Sequence, residues 1–262
     1  TLSSSSAASD VYKRQPLSNT YETMLYIGWA AMLGGLIFSK RSRFILPAMA
    51  LLSTLVLFVA HLSWMDPQIT NLVPVLKSYW LTIHVAVITA SYGFFGMGAI
   101  LGLLVLILFS IQSKANRSEL QRQIKDLTVI NELGLTLGLY LLTIGCFLGA
   151  VWANESWGRY WGWDPKETWT LITIAVYAFV LHMRLIPGFY SYFTFNFAAL
   201  IAIGSVLMTY FGVNYFLSGL HSYAGGDSFP LPSWLLVIIV GVFALGVFAW
   251  YRKKRLRIEI AS

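Results

Sequence analysis

Long apolar runs, separated by short polar or basic segments, dominate the chain. A bilayer core about 30 Å thick needs about 20 apolar residues per spanning helix. Runs near that length occupy 22–39, 44–64, 79–111, 133–153, 169–187, 195–217 and 233–251. The pattern predicts an all-α fold, a polytopic membrane helix bundle with about seven transmembrane helices.

The composition agrees with a membrane location. Of the 262 residues 57% are apolar and 11% are charged, whereas a soluble domain carries about 25% charged residues. This argues against a water-soluble enzyme, a disordered protein and a disulfide scaffold. Cys146 is the single cysteine, so no disulfide within the chain and no all-cysteine metal site can form.

The net charge of +7 at pH 7 raises the question of a nucleic-acid partner. Most of the basic residues, however, fall in alternate loops: Lys40, Arg41, Arg43, Lys114, Arg117, Arg122, Lys125, Arg184, Arg252, Lys253, Lys254, Arg255 and Arg257. Basic loops lie on the cytoplasmic side of a membrane. The N-terminus and the loops 65–78, 154–168 and 218–232 are then outside, and no nucleic-acid partner is expected.

The first fifteen residues differ from everything that follows them. They are polar and Ser-rich, and they lack the basic and apolar regions of a signal peptide. We expect 1–15 to be a non-native-looking or disordered tail. We expect 16–262 to form a single transmembrane domain with an external loop at about 154–169.

The external loop is unusually aromatic, with four Trp and one Tyr between Trp157 and Trp169. Trp and Tyr collect at membrane interfaces, so an aromatic belt is one interpretation. Belt residues are scattered, however, and this cluster includes two glycines that allow close backbone approach. We therefore favour a platform for a large flat ligand.

The end of this loop has the pattern of a helix start. Asp164 is a favoured N-cap, Pro165 a favoured first residue, and Glu167 suits the third position. A second role of Asp164 in orienting the platform is compatible with the cap. Arg159 and Lys166 are the cations of the loop; each either pairs with a ligand carboxylate or is a solvated surface charge.

Two of the four histidines are predicted to meet at the outer face. His84 lies early in a run of about 33 residues, which as a helix is about 50 Å long and extends beyond the bilayer core. His221 follows the outer end of the sixth run. Paired imidazoles beside an aromatic shelf suit bis-histidine ligation of haem iron. Zinc is disfavoured because it usually takes three or four protein ligands.

The other two histidines lie elsewhere. His182 is placed about 20 Å down the fifth helix, near the cytoplasmic side, where a lone histidine is more often a packing residue than a ligand. His61 lies near the outer end of the second run, and a structural role is favoured for it.

Four motifs in this order resemble the CcsA (ResC) family of haem-handling proteins, whose mark is a WWD signature. They are Trp157-Gly-Arg-Tyr-Trp-Gly-Trp-Asp-Pro-Lys-Glu-Thr-Trp169, Pro16-Leu-Ser-Asn-Thr-Tyr-Glu22, Leu76-Lys-Ser-Tyr-Trp-Leu-Thr-Ile-His84-Val and Gly212-Val-Asn-Tyr-Phe-Leu-Ser-Gly-Leu-His221-Ser-Tyr-Ala. The resemblance covers essentially everything after residue 15. It implies system II cytochrome c biogenesis, either as a separate subunit or as the CcsA part of a CcsBA fusion.

The resemblance also implies roles for individual residues. His84 and His221 match the external ligands of haem iron and are the expected catalytic pair. His182 matches a transmembrane ligand that binds haem before it reaches the external site, which makes it a third expected iron ligand. The expected haem contacts in the loop are Trp157, Arg159, Tyr160, Trp161, Trp163 and Asp164.

The resemblance further implies that the chain acts with CcsB (ResB) as a cytochrome c synthase, or haem lyase. It implies that haem b is moved to the outer face and presented to the Cys-x-x-Cys-His segment of apocytochrome c. A thiol-reducing thioredoxin-like protein and membrane lipid are the other expected partners. The expected location is the bacterial inner membrane, or a thylakoid membrane if the chain is plastid-encoded, with the WWD loop outside. The alternatives are a CcmC-like haem exporter without ligation activity and a b-type haem electron carrier.

Overall fold

Helices form the whole regular structure of the part of the chain that the computed structural model describes, residues 20–61, 78–221 and 233–261. Seven main helices follow one another: α1 (Thr20–Phe38), α2 (Ile45–Ala60), α3 (Tyr79–Ile111), α4 (Arg117–Trp157), α5 (Pro165–His182), α6 (Tyr192–Leu207) and α7 (Ser233–Ala261). A π-helical segment, Met208–Gly212, extends α6 into the turn Val213–Phe216. The predicted tail 1–15 and most of the loops 65–78 and 218–232 lie outside the described residues.

Length and composition make this an integral membrane protein. Six of the helices are long and apolar enough to cross a membrane, and α2, with 16 residues, is shorter. The predicted all-α polytopic bundle is therefore confirmed. The main difference is α4, which has 41 residues and begins at Arg117 rather than at 133. Its first turns are rich in Glu, Gln, Lys and Leu, which favour helix without being apolar, so the apolar pattern does not include them.

Helix α3 is the centre of the bundle and packs against α1, α4, α6 and α7. Glycine allows its closest approach to α6: a Cβ at Gly102 would lie 2.5 Å from the backbone oxygen of Asn196. Small residues at such crossings let membrane helices pack closely enough for van der Waals contact. The α3–α6 contact therefore depends on the absence of a side chain at Gly102.

Buried amides join α3, α4 and α6 at mid-bundle. Asn131 Nδ2 donates to Asn196 Oδ1 at 2.9 Å and to the Gly98 carbonyl at 3.2 Å. Asn196 Nδ2 in turn donates to Thr128 Oγ1 at 2.7 Å. Both asparagines are fully buried. A buried amide without hydrogen-bond partners is unfavourable in an apolar interior, so these bonds stabilise the three-helix contact.

Basic segments gather at one end of the bundle. Arg252 Nη2 donates to the Gln112 carbonyl at 2.8 Å, and Lys253 Nζ donates to Ser191 Oγ at 3.2 Å. Arg43 pairs with Glu119 at 3.5 Å. Since α3 and α4 are antiparallel neighbours, the Trp-rich loop after α4 lies at the opposite end. The charge pattern thus correctly separates the two ends.

A Gly102→Ala substitution tests the close crossing of α3 and α6. The new methyl group meets a backbone oxygen, which moves only with its helix, so we expect a loss of about 1–3 kcal/mol in the free energy of unfolding. Unfolding of the detergent-solubilised chain measures it. Gly204→Ala on α6 is the matched control, because nothing lies within 4 Å of its Cβ position. Equal stability of the two variants would contradict the packing described.

Candidate functional site

Four rings from three parts of the chain meet near the Trp-rich loop. The His84 imidazole of α3 lies 6.3 Å from the Trp152 indole of α4, centroid to centroid, with the planes 14° apart. The His221 ring lies 5.5 Å from Trp152 and 4.9 Å from Trp157. The structure therefore brings together three residues that the sequence singles out, His84, His221 and Trp157. They surround Trp152, which the sequence does not single out.

His84 is held by the helix that it faces. Its Nδ1 lies 2.7 Å from the carbonyl oxygen of Gly145; because a carbonyl only accepts, Nδ1 carries the proton. A Cβ at Gly149 would lie 2.3 Å from His84 Cε1, so this glycine makes the space for the ring. The neutral imidazole consequently has its lone pair on Nε2.

His221 is held by Asp164. Its Nδ1 donates to Asp164 Oδ1 at 3.0 Å, and the backbone N–H of Leu220 donates to Oδ2 at 2.6 Å. The side chains of His221 and Asp164 are 14% and 4% exposed. A Cβ at Gly219 would lie 2.4 Å from Oδ2, so glycine there allows the carboxylate to reach both donors.

The same carboxylate begins α5, as the sequence predicts. Asp164 Oδ1 accepts from the Lys166 N–H at 3.0 Å, with Pro165 in the first turn. In return, Glu167 Oε2 accepts from the N–H groups of Asp164 at 3.2 Å and Gly162 at 2.7 Å. This reciprocal capping box satisfies N–H groups that a helix start leaves without partners. The start of α5 and the orientation of His221 thus depend on one side chain.

The protonation states suit a ligand histidine. Burial acts to raise the pKa of Asp164, but the hydrogen bonds from the Lys166 and Leu220 amides and the neighbouring His221 outweigh it and place the pKa below its ordinary value. Burial lowers the pKa of His221, although the Asp164 carboxylate opposes that change. At neutral pH the pair is therefore a carboxylate and a neutral imidazole whose Nε2 can bind a metal ion.

Arg159, predicted to contact a ligand, is placed against the loop itself. Its Nη1 lies 3.8 Å from Glu167 Oε1. The guanidinium also fills the position that a side chain at Gly162 would take. The structure therefore gives Arg159 a role in shaping the loop.

The remaining aromatic residues of the loop are more exposed. The rings of Trp161 and Trp163 contact each other edge to face at 5.7 Å. Trp163 is 68% exposed and Tyr160 is 62% exposed. Trp163 also has a φ of +57°, in the left-handed region that non-glycine residues seldom adopt. These rings form an outer surface, whereas Trp157 belongs to the cluster around His221.

The other two histidines lie outside this cluster. His182 is exposed at the far end of α5, 18 residues from Asp164 and about 27 Å along the helix, with Nδ1 2.7 Å from the Ala178 carbonyl. His61 is also exposed; its Nδ1 lies 2.7 Å from the Leu57 carbonyl, and its ring packs edge to face on Tyr21 at 5.8 Å.

Trp152 is the site residue that the sequence analysis misses. It is 1% exposed, it contacts His84, His221 and Trp157, and its buried Nε1 has no hydrogen-bond partner among the described residues. A signal for it does exist, since Gly145, Gly149 and Trp152 follow the i, i+4, i+7 spacing of one helix face. That face of α4 receives the His84 ring.

Comparison with known proteins agrees with the geometry. The sequence model of the family described as "Cytochrome C assembly protein" matches residues 17–221. The CcsA protein of Guillardia theta is 36% identical over 233 residues, which cover 79% of this chain and 76% of that protein. The chain belongs to the CcsA family. It therefore belongs among the proteins of cytochrome c biogenesis.

Two further relatives are longer than the region that they share with this chain. Protein NrfI of Wolinella succinogenes is 60% identical over 218 residues, which cover 83% of this chain and 24% of NrfI. CcsA of Chlamydomonas reinhardtii is 38% identical over 219 residues, 79% of this chain and 60% of that protein. The chain thus spans about a quarter of NrfI and more than half of the CcsA proteins.

The histidine–carboxylate pair predicts a specific titration. Asp164→Asn keeps a good N-cap residue but removes the negative charge that favours imidazolium. We therefore expect the pKa of His221, already below 6.5, to fall further in this variant. Nuclear magnetic resonance of ring-labelled histidine across about pH 4–8 measures it. Asp126→Asn, at an exposed position, is the control. A rise of the His221 pKa in Asp164→Asn would contradict the pairing of His221 with the Asp164 carboxylate.

Proposed function

We propose that this CcsA-family chain binds haem as a substrate between His84 and His221 and presents it for covalent attachment to apocytochrome c. The observation that carries the proposal is the matched state of the two imidazoles. Each has Nδ1 fixed by an acceptor at 2.7 or 3.0 Å, and each keeps Nε2 for a metal. Histidine ligands of metals are commonly held in this way.

The planes of the rings support a division of labour between the two tryptophans. An axial imidazole stands perpendicular to the macrocycle, so a ring that lies flat on the haem is steeply inclined to both imidazoles. Trp157 meets this condition. Its plane is inclined by 80° to that of His221 and by 67° to that of Trp152, and the plane of Trp152 is only 14° from that of His84. Trp157 is therefore the haem shelf, whereas Trp152 stands edge-on and supports His84.

The chain's contribution to the reaction is orientation. In each thioether bond that forms, a thiol sulfur of the apocytochrome Cys-x-x-Cys-His segment bonds to a vinyl carbon of haem, and a proton goes to the other vinyl carbon. This addition of a thiol to an alkene involves no net oxidation or reduction. His84, His221 and Trp157 hold the iron and the plane of the haem at the outer face beside the peptide, which raises the effective concentration of the reacting groups. The histidine of the apocytochrome displaces one of the two ligands.

The wider pathway follows the family resemblance. Residues 16–262 act as one transmembrane domain with the Trp-rich loop on the outer side of the bacterial inner membrane. Exposed His182, near the basic end of the bundle, binds haem b first, with a ligand from CcsB completing the iron coordination. An exposed position suits this role, because a ligand shared with a partner subunit lies on the surface of the bundle. A thioredoxin-like protein keeps the thiols of apocytochrome c reduced.

Substitution of the two histidines tests the proposal. The chain is co-expressed with CcsB and an apocytochrome, and the product is measured by haem staining of a denaturing gel, where only thioether-linked haem remains. We expect His84→Ala and His221→Ala each to reduce the product to background. His61→Ala is the matched control and should leave it unchanged.

The other outcomes of this experiment are informative. Normal maturation with both histidines replaced would overturn the proposal. Haem that reaches the outer side without any thioether product in the unmodified system would support the exporter alternative instead.

Asp164→Asn provides a second, finer test. Loss of a carboxylate that orients a metal-binding histidine typically weakens metal binding by about 10–100-fold, so we expect the dissociation constant for ferric haem, from Soret titration of the purified chain, to rise by that factor. Asn keeps the Oδ1 acceptor of the cap but places an amide NH2 against the Leu220 N–H, so we expect a lower thermal midpoint, and haem affinity is compared at a temperature where both proteins are folded. Unchanged haem affinity would show that the carboxylate does not act through His221.

A further inference from the structure

The two cations of the external loop have different surroundings. Arg159 lies 3.8 Å from Glu167 and is packed over Gly162. Lys166, in the first turn of α5, donates from Nζ to Asn214 Oδ1 at 2.5 Å. Within residues 20–61, 78–221 and 233–261 no carboxylate lies at ion-pair distance from Nζ: its hydrogen-bond partner is a neutral amide, and the Asp164 carboxylate acts on it only at longer range.

That arrangement is unusual for a charged group which is half-buried. A buried cation is unfavourable unless an anion compensates it, and an ammonium group has three N–H donors of which Asn214 satisfies one. Asn214 also fixes the position of Nζ. Lys166 Nζ is therefore a positive charge in a fixed position, with N–H donors that Asn214 does not satisfy.

Lys166 belongs to the same site as the two histidines. It directly follows Pro165 and Asp164, the residue that holds His221. Its ammonium group lies within electrostatic range of the imidazoles of both His84 and His221. Nearby, the buried Nε1 of Trp152 also has no acceptor among the described residues. Trp152 Nε1 and the N–H groups of Lys166 that Asn214 does not satisfy are donors that match a ligand with an anionic edge.

We propose that Lys166, and not Arg159, binds a peripheral carboxylate of the tetrapyrrole that His84 and His221 hold. The inference rests on the function proposed above and adds to it the recognition of the propionate edge. An ion pair to this side chain fixes the rotation of the macrocycle about the iron axis, which two axial ligands leave free. Fixing that rotation decides which edge of the haem faces the apocytochrome.

The test changes residue and ligand together. Ferric haem and its dimethyl ester, in which both carboxylates are blocked, are titrated into the detergent-solubilised full chain, and the Soret band gives each dissociation constant. We expect the unmodified chain to bind the free acid about tenfold or more tightly than the ester, since a charge-assisted hydrogen bond contributes about 1.5–3 kcal/mol. In Lys166→Met this preference should fall to near one.

Three controls make the result decisive. Arg159→Met should keep the preference for the free acid, and Lys166→Arg should keep most of it because the positive charge remains. Binding of the ester shows that each variant is folded. A preference that Lys166→Met leaves intact, or that is absent in the unmodified chain, would overturn the proposal. Absence of a histidine-ligated spectrum with either compound would instead refute the haem site itself.

Discussion

The carboxylate of Asp164 is the interaction on which the external end of the molecule depends. It caps α5 through the Lys166 amide, accepts the Leu220 amide, and fixes Nδ1 of His221. Three requirements, the start of a helix, the path of a connecting segment and the tautomer of a histidine, are met by two oxygen atoms. These bonds require space and a fixed backbone: Gly219 leaves room for the carboxylate, and Glu167 accepts from the Asp164 N–H.

The bundle provides the rigid half of the site. His84 is oriented by a carbonyl of α4, and its ring is accommodated by Gly149, so its position is set by the packing of α3 on α4. His221, by contrast, follows the end of α6 and is held by side-chain chemistry. One imidazole is therefore fixed by helix packing and the other by a hydrogen-bonded segment, which agrees with the proposal that the histidine of apocytochrome c replaces one of two ligands.

Much of this arrangement is predictable from the sequence, and the exceptions have physical causes. Apolar runs and basic loops give the helices and the two ends, and Asp164-Pro165 gives the start of α5, because these signals are local. The burial of Trp152 and the pairing of Arg159 with Glu167 are not predictable in the same way, since each depends on which residue of another segment lies opposite. The length of α4 exceeds the apolar run because helix propensity continues beyond the bilayer.

The most direct test of the central claim is the coordination of iron at the external histidines. Ferric haem is bound to the purified chain in a His182→Leu background, with all histidines labelled with ¹⁵N, and its electron paramagnetic resonance and nuclear hyperfine couplings are recorded. We expect a low-spin signal with couplings to two imidazole nitrogens. A high-spin signal, or a low-spin signal that the label does not alter, would contradict it.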